Sequence, residues 1–436
     1  MLASKRQYRY NAPMTRRFIF PLLLILFGVF LACGLVEGAV RVLGMDPPTG
    51  DPASFWQDDE RFGWFHTPGA EGWYFNPAGE YNAYARVNDA GLLDEDYPEM
   101  KADGVYRVLV LGDSFTEGLR IPMDAAFHSV LERELDLGTD KRVEVVNGGV
   151  AGWGTDQQLL FFDEIGRNYQ PDLVLVAFFP ANDIMNNSVS LESENFGGVR
   201  KPYFLVEDGE LVLHNYPVGS EPQPERSSTP PADPSEPALT PDPPLDFTQP
   251  VLEHSALYRY LVPRLRVAAP GLALKLARWG LIPSGSETRN AAQGADYIPT
   301  AYGVYHDPLV PEWESGWQTT AAILAELKSA VEQDGARLAV VILPSQEQTV
   351  PGAWAMTLRK FPAMQSASWD LDQPNRRLAD FLNELAIPYL DLLSVFRAAD
   401  GPSLFFPIDR HWNEQGHELA GKTITEWLEG LQTIDN

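Results

Sequence analysis

The stretch Val108-Leu-Val-Leu-Gly-Asp-Ser-Phe-Thr-Glu-Gly118 constrains the fold most, because a short apolar β-branched run stops abruptly at Gly112-Asp113-Ser114. Four apolar residues bounded by turn formers fit a parallel strand buried on both faces. Ligand crevices of open α/β sheets lie outside the carboxyl ends of such strands, which is where Ser114 would stand. The same Gly-Asp-Ser also reads as a helix N-cap following a strand. Further segments decide what the serine is for.

Around this strand a βα alternation is legible. Strands are expected at Tyr106 to Leu111, Val143 to Asn147, Asp172 to Phe179, Arg337 to Leu343 and Pro388 to Leu392. Helical spacing falls between them near Asp124 to Leu137, Asp156 to Tyr169, Gln318 to Gln333 and Asn375 to Leu385, with a last helix from about Asn413 to Leu431. Strands alternating with helices imply parallel pairing through right-handed crossovers, hence a three-layer α/β/α, flavodoxin-like sheet, expected here in the order 2-1-3-4-5. The alternation breaks between 190 and 310, read as one long insertion around a Pro-, Ser- and acid-rich segment, 219–250, with too little to bury to fold by itself. Within it, Leu257 to Arg266 and Leu272 to Trp279 read as short amphipathic helices, packed on the domain, lining a substrate cleft or touching a membrane surface. Residues 44–104 form an aromatic, Gly- and Pro-rich lead-in with no sustained period, so the sheet domain is expected over 105–189 and 311–436.

The formal charge of −27 argues against a nucleic-acid partner, which would require clustered Lys and Arg. The one basic segment is the amino-terminal tail, 1–17, with Lys5, Arg6, Arg9, Arg16 and Arg17 and no acid. Phe18 to Val36 follows without a charge, long enough as a helix to cross a bilayer core. The basic flank predicts a cytoplasmic amino terminus with the remainder on the outer, periplasmic or extracytoplasmic, face. The continuing helical pattern at Glu37 and Arg41 favours an uncleaved signal anchor over a cleaved signal peptide. Cys33, after Phe-Leu-Ala, is an imperfect lipoprotein box. As the sole cysteine it leaves the outer domain without an internal disulfide.

Four strand ends or loops bring polar groups to one edge of the sheet: Gly112-Asp113-Ser114, Asn147-Gly-Gly-Val-Ala-Gly152, Asn182-Asp183 and Asp409-Arg-His411. A serine hydroxyl needs a base within hydrogen-bond reach, and the base needs a partner that fixes its tautomer. His411 and Asp409 can fill those roles. The oxyanion that develops needs preorganised donors, for which the Ser114 and Gly152 amides and the Asn182 side chain are available. Gly148 to Gly154 lacks dinucleotide spacing, and His66, His417, Asp113 and Asp183 show no metal-site spacing, so no cofactor or metal is expected. His66 reads as a packed or surface residue, His417 as a surface or capping residue, and Asp113 and Asp183 as supports for the loops. Trp153 and Trp412 read as packing or as a platform for an acyl group or sugar. Ser345 reads as a loop serine.

In this order the four blocks resemble the SGNH (GDSL-type) hydrolase superfamily. The resemblance implies Ser114 as nucleophile, His411 as base, Asp409 as its partner, and Ser114, Gly152 and Asn182 as oxyanion donors. Two departures stand out: Pro180 replaces the glycine usual in the third block, and the acid precedes His411 by two residues rather than three, with Ile408 in the usual position. Asp-x-His-Trp-Asn is similar to the branch that includes alginate O-acetylation proteins. The expectation is a membrane-anchored serine esterase acting on acyl esters, such as O-acetyl groups of envelope glycans or lipids. The alternatives are an O-acetyltransferase for an exported polysaccharide and a noncatalytic envelope-binding protein on the same fold.

Overall fold

The computed structural model describes residues 14–46, 53–76, 78–196, 198–221, 251, 254–283, 297–399 and 401–435. A long helix, α1 (Met14–Val42), opens the chain, and within it Phe20–Val42 is long and apolar enough to cross a membrane. Two hairpins make up the lead-in: β1 (Trp56–Asp59) with β2 (Gly63–His66), and β3 (Glu71–Phe75) with β4 (Asn82–Arg86). The βα succession then begins with β5 (Val105–Gly112), α2 (Ser114–Glu117), α3 (Phe127–Glu134), β6 (Arg142–Gly149), α4 (Thr155–Glu164), β7 (Leu173–Phe178), α5 (Pro180–Asn186) and α6 (Val189–Phe196). A third hairpin, β8 (Tyr203–Glu207) with β9 (Glu210–His214), precedes the helical pair α7 (Ala256–Ala268) and α8 (Pro270–Arg278). The sheet resumes through α9 (Pro311–Gln333), β10 (Arg337–Ile342), α10 (Gln373–Glu384), β11 (Tyr389–Asp391) and the terminal α11 (Glu414–Asp435).

Five strands pair in parallel in the order β6-β5-β7-β10-β11, which is the expected 2-1-3-4-5. Successive strand residues face opposite sides, and both sides are buried. Leu109 and Leu111 of β5, Val174 and Val176 of β7, and Val340 and Ile342 of β10 enter one core with α4, α9 and α10. Their neighbours Val108, Val110, Leu175, Ala177, Ala339 and Val341 enter the other, against α3 and α11. This is why the strands read as continuous apolar runs. Burying each such side chain contributes ~1.5–3 kcal/mol, so the sheet anchors whatever stands at its ends.

Several boundaries differ from the sequence reading. The helix expected at Asp124 starts at Phe127 after a short 3-10 turn, Met123–Ala125, and α9 starts at Pro311 rather than Gln318, with Pro at its first position. The hairpin β8–β9 was not expected. The Pro-rich segment lies, beyond residue 221, outside the described residues, as does the tail through residue 13.

Glu192 of α6 is buried, and neither carboxylate oxygen has a hydrogen-bond partner among the described residues. Burial pushes its pKa up to about 8, with the charge of Lys201 opposing. The folded state therefore holds this proton where the unfolded chain releases it. The stabilisation is complete below the ordinary carboxylate range and is lost as pH rises towards 8. Glu192→Gln should flatten this dependence. Between pH 5 and 8 the stability difference between variant and parent should move in the variant's favour by on the order of 3 kcal/mol, read from denaturant melts at the two pH values.

Candidate active site

Asp113 does what the helix-cap reading expects, its Oδ1 accepting the Phe115 amide at 2.9 Å. That cap also holds Ser114 at the first position of α2, at the carboxyl edge of β5. The two readings of Gly-Asp-Ser are therefore both met by one turn. Its close packing needs glycine across the strand: a Cβ on Gly149 would stand 2.5 Å from the Glu117 amide nitrogen.

Ser114 Oγ lies 2.7 Å from His411 Nε2, and His411 Nδ1 lies 2.6 Å from Asp409 Oδ1. A carboxylate can only accept, so the imidazole Nδ1–H donates to Asp409 and Nε2 is left to accept the serine hydroxyl. The acid sits one residue nearer the histidine than the superfamily pattern, and the backbone compensates. Arg410, between them, adopts a left-handed φ of +73°, costly for a residue with a side chain. Its guanidinium is held by Tyr302 Oη at 2.6 Å and by Glu347, and its amide donates to the Phe406 carbonyl.

Asp409 is held from three further directions. Arg120 Nε donates to its Oδ1 at 2.8 Å and Tyr81 Oη to its Oδ2 at 3.1 Å, while Glu80 accepts the Ile408 and Asp409 amides at 2.7 and 2.9 Å. Burial alone would raise the Asp409 carboxyl. The hydrogen bond from His411 and the charges of Arg120 and His411 outweigh it and hold the group well below the usual carboxylate range. Asp409 is thus a fixed anion.

Pro180 starts α5, where its missing N–H costs nothing, and Asn182 stands within the first turn. Asn182 Nδ2 donates to Asp113 Oδ2 at 2.8 Å, tying the first and third blocks together. Asp183 accepts the Phe179 amide at 2.7 Å and approaches Thr155 and Gln158. Burial, and next the nearby Asp113 carboxyl, raise Asp183 well above the ordinary range; Asp113 is raised too, chiefly by burial. Both brace loops. Gly152 has φ of +78°, and its carbonyl accepts Asn186 Nδ2 at 2.7 Å. Ser114, Gly152, Asn182, Asp409 and His411 are all only partly buried.

Trp153 and Trp412 are fully buried, the first against Phe62, Phe65 and Phe161, the second against Phe115 and Phe396, so each packs rather than forming a platform. His417 is not at the surface: it is buried, stacks on Phe127 and accepts the Phe127 amide at 3.3 Å. Burial pushes its pKa down to about 3, which keeps the ring neutral. Ser345 caps a short helix.

Sequence reasoning missed the lead-in's part. Glu117 Oε1, buried beneath the site, accepts His66 Nε2 at 2.8 Å, Trp56 Nε1 at 2.9 Å and the Ala151 amide at 3.1 Å. Trp64 Nε1 donates to the Ala151 carbonyl at 2.9 Å. The first hairpin therefore sets the loop that carries Gly152, and Glu80 and Tyr81 set Asp409. Glu117→Ala strands three donors, one of them on the buried His66 ring and one on the partly buried Trp56. It should cost about 3 kcal/mol or more in a denaturant melt and lower kcat through the displaced 150–152 loop.

The five-stranded parallel sheet, with serine, histidine and aspartate in contact at its carboxyl edge, is an SGNH-like α/β fold. Residues 306–436, which include Asp409 and His411, match the family described as "SGNH hydrolase-like domain, acetyltransferase AlgX". No curated protein sequence matches the chain. Among solved structures it is similar to the acetyl xylan esterase AlAXEase, at 8% identity over 74% of this chain and 98% of that one, with a TM-score of 0.34. A lipase/acylhydrolase from Enterococcus faecalis is similar at 12% identity over 75% of this chain and 96% of that one, with a TM-score of 0.32. A two-domain esterase active on acetylated mannans is similar at 9% identity over 76% and 50%, with a TM-score of 0.32.

Proposed function

We propose that this protein is a serine acyl-transfer enzyme that takes an acyl group from an ester onto Ser114. The reading is carried by the unbroken relay from Ser114 Oγ through the His411 ring to Asp409. In it, His411 Nε2 removes the hydroxyl proton as Oγ attacks the ester carbonyl, and the fixed charge of Asp409 steadies the imidazolium that forms. The oxyanion is received by the Ser114 and Gly152 amides and by the Asn182 amide, one of whose two N–H groups is taken by Asp113. Collapse breaks the ester C–O bond, the departing alcohol takes the proton from His411, and acyl-Ser114 remains. A second oxygen nucleophile, deprotonated by His411, then releases the acyl group and restores Ser114.

With water as that nucleophile the enzyme is an esterase. With a carbohydrate hydroxyl it is an O-acetyltransferase, a reading favoured by the acetyltransferase family matched over 306–436. Supplying an aryl acetate donor together with a hydroxyl-rich oligosaccharide separates the two. Acetylated oligosaccharide in excess of free acetate supports transfer, and acetate alone supports hydrolysis. If a serine-reactive fluorophosphonate fails to label Ser114 in folded protein, the binding-protein alternative replaces both.

An anchored, outward-facing placement belongs to the same proposal. It is supported by the apolar helix Phe20–Val42 and the basic residues that precede it.

A further inference from the structure

We infer that the helical pair α7–α8 is a foot that rests on anionic phospholipid headgroups beside the point where α1 leaves the bilayer. The inference rests on reading the uncharged run 18–36 within α1 as a membrane span.

The first observation is attachment. Glu37, in the last turns of α1, caps the start of α7: its Oε2 accepts Ser255 Oγ and the Leu257 amide, and its Oε1 accepts the Ala256 amide, each at 2.9 Å. Arg41 Nη2 donates to the His254 carbonyl at 2.8 Å, and Arg259 pairs with Asp46 just beyond the helix. The uncharged run 18–36 measures ~28 Å as a helix, against ~30 Å for a bilayer core, so Glu37 falls at headgroup depth. The amino end of α7 is fixed at that level.

The second observation is what the pair leaves outside. Val262, Ala273 and Ile282, with Tyr258, Leu265 and Leu276, make a small core of their own, separate from the cores around the sheet. Leu272, Lys275, Arg278 and Trp279 recur at helical spacing on α8 and are exposed, Trp279 to 69% and Leu272 to 48%, and Leu281 follows at 56%. A tryptophan and leucines interleaved with cations suit the boundary between headgroups and acyl chains.

The third is charge. Besides Arg259, whose charge Asp46 offsets, residues 256–278 hold Arg264, Arg266, Lys275 and Arg278 and no acid, in a chain of formal charge −27. An acidic protein tethered beside an anionic leaflet is repelled by it, and a basic patch at the tether reverses the sign locally. A second protein could use the leucines and the tryptophan, but the headgroup-level attachment and the sign of the charge select lipid.

The test uses the full chain with Cys33→Ser, reconstituted in phosphatidylcholine vesicles with and without phosphatidylglycerol. Single nitroxides are attached through Leu272→Cys, Trp279→Cys, Leu26→Cys within α1, and Glu384→Cys on the exposed end of α10. With phosphatidylglycerol present, collision with oxygen relative to a water-soluble nickel chelate should be several-fold higher at 272 and 279 than at 384, and lower than at 26. Adding Lys275→Glu and Arg278→Glu should return both positions towards the value at 384. Labels at 272 and 279 that match 384 in both lipids, while 26 reports lipid, would overturn the foot but leave the span. Shielding from both reagents would mean a protein partner and also overturn it. A water-like reading at 26 would remove the span and the foot together.

Discussion

Replacing Ser114 with Ala is expected to lower ester turnover ~10⁴-fold or more while leaving the melting transition close to that of the parent. The size follows from the chemistry: the variant keeps the amides of the oxyanion site but has no atom to carry the acyl group. The fold should tolerate it, because the α2 cap is made by Asp113 and not by the serine hydroxyl, whose one partner among the described residues is His411. Hydrolysis of an aryl acetate, followed by released phenol, measures the loss. Turnover within a few-fold of the parent would place the chemistry elsewhere.

Asp409→Asn should be nearly as damaging, by ~10⁴-fold in kcat, because an amide in that position can present N–H to His411 Nδ1 and so select the wrong tautomer. Here a second effect acts in the same direction. Arg120, largely buried and 2.8 Å from Asp409 Oδ1, would lose its counter-charge and oppose the imidazolium that the reaction must form. Arg120→Met in the Asp409→Asn background should therefore recover part of the lost rate, a coupling that a pair of unrelated defects would not produce. The double-variant rate, compared with the two single variants, measures it.

The sheet was readable because its central strands β5, β7 and β10 are buried on both faces and carry little besides apolar residues, and the four polar blocks stand where the strands or the loops after them end. The turn between Asp409 and His411 was not readable. Nothing in Asp-Arg-His announces that Arg410 will take a left-handed conformation, because what holds it there, Tyr302 and Glu347, lies far away in the chain. Glu117, Glu80 and Tyr81 were hidden for the same reason, their partners being 34 to 329 positions distant. The hairpin β8–β9 did carry a local signal: Asp208-Gly209 joins its strands, both residues with positive φ, as a two-residue turn requires. That dipeptide sits beside a Pro-rich stretch whose composition dominated the reading of the whole segment. Trp153 and Trp412 show the converse. Their place beside the polar blocks left packing or a platform open, and packing beneath the loops took both rings.

The central claim is an acyl group carried by Ser114. The most direct measurement is the mass of the peptide containing residue 114 after the full-length protein is mixed with an aryl acetate and quenched in acid within the first turnover. One acetyl group on Ser114, absent from Ser114→Ala and accumulating in Asp409→Asn if deacylation is the slower step there, is the result predicted here. Continued ester turnover with residue 114 unmodified, or with the acetyl group on another side chain, would contradict it.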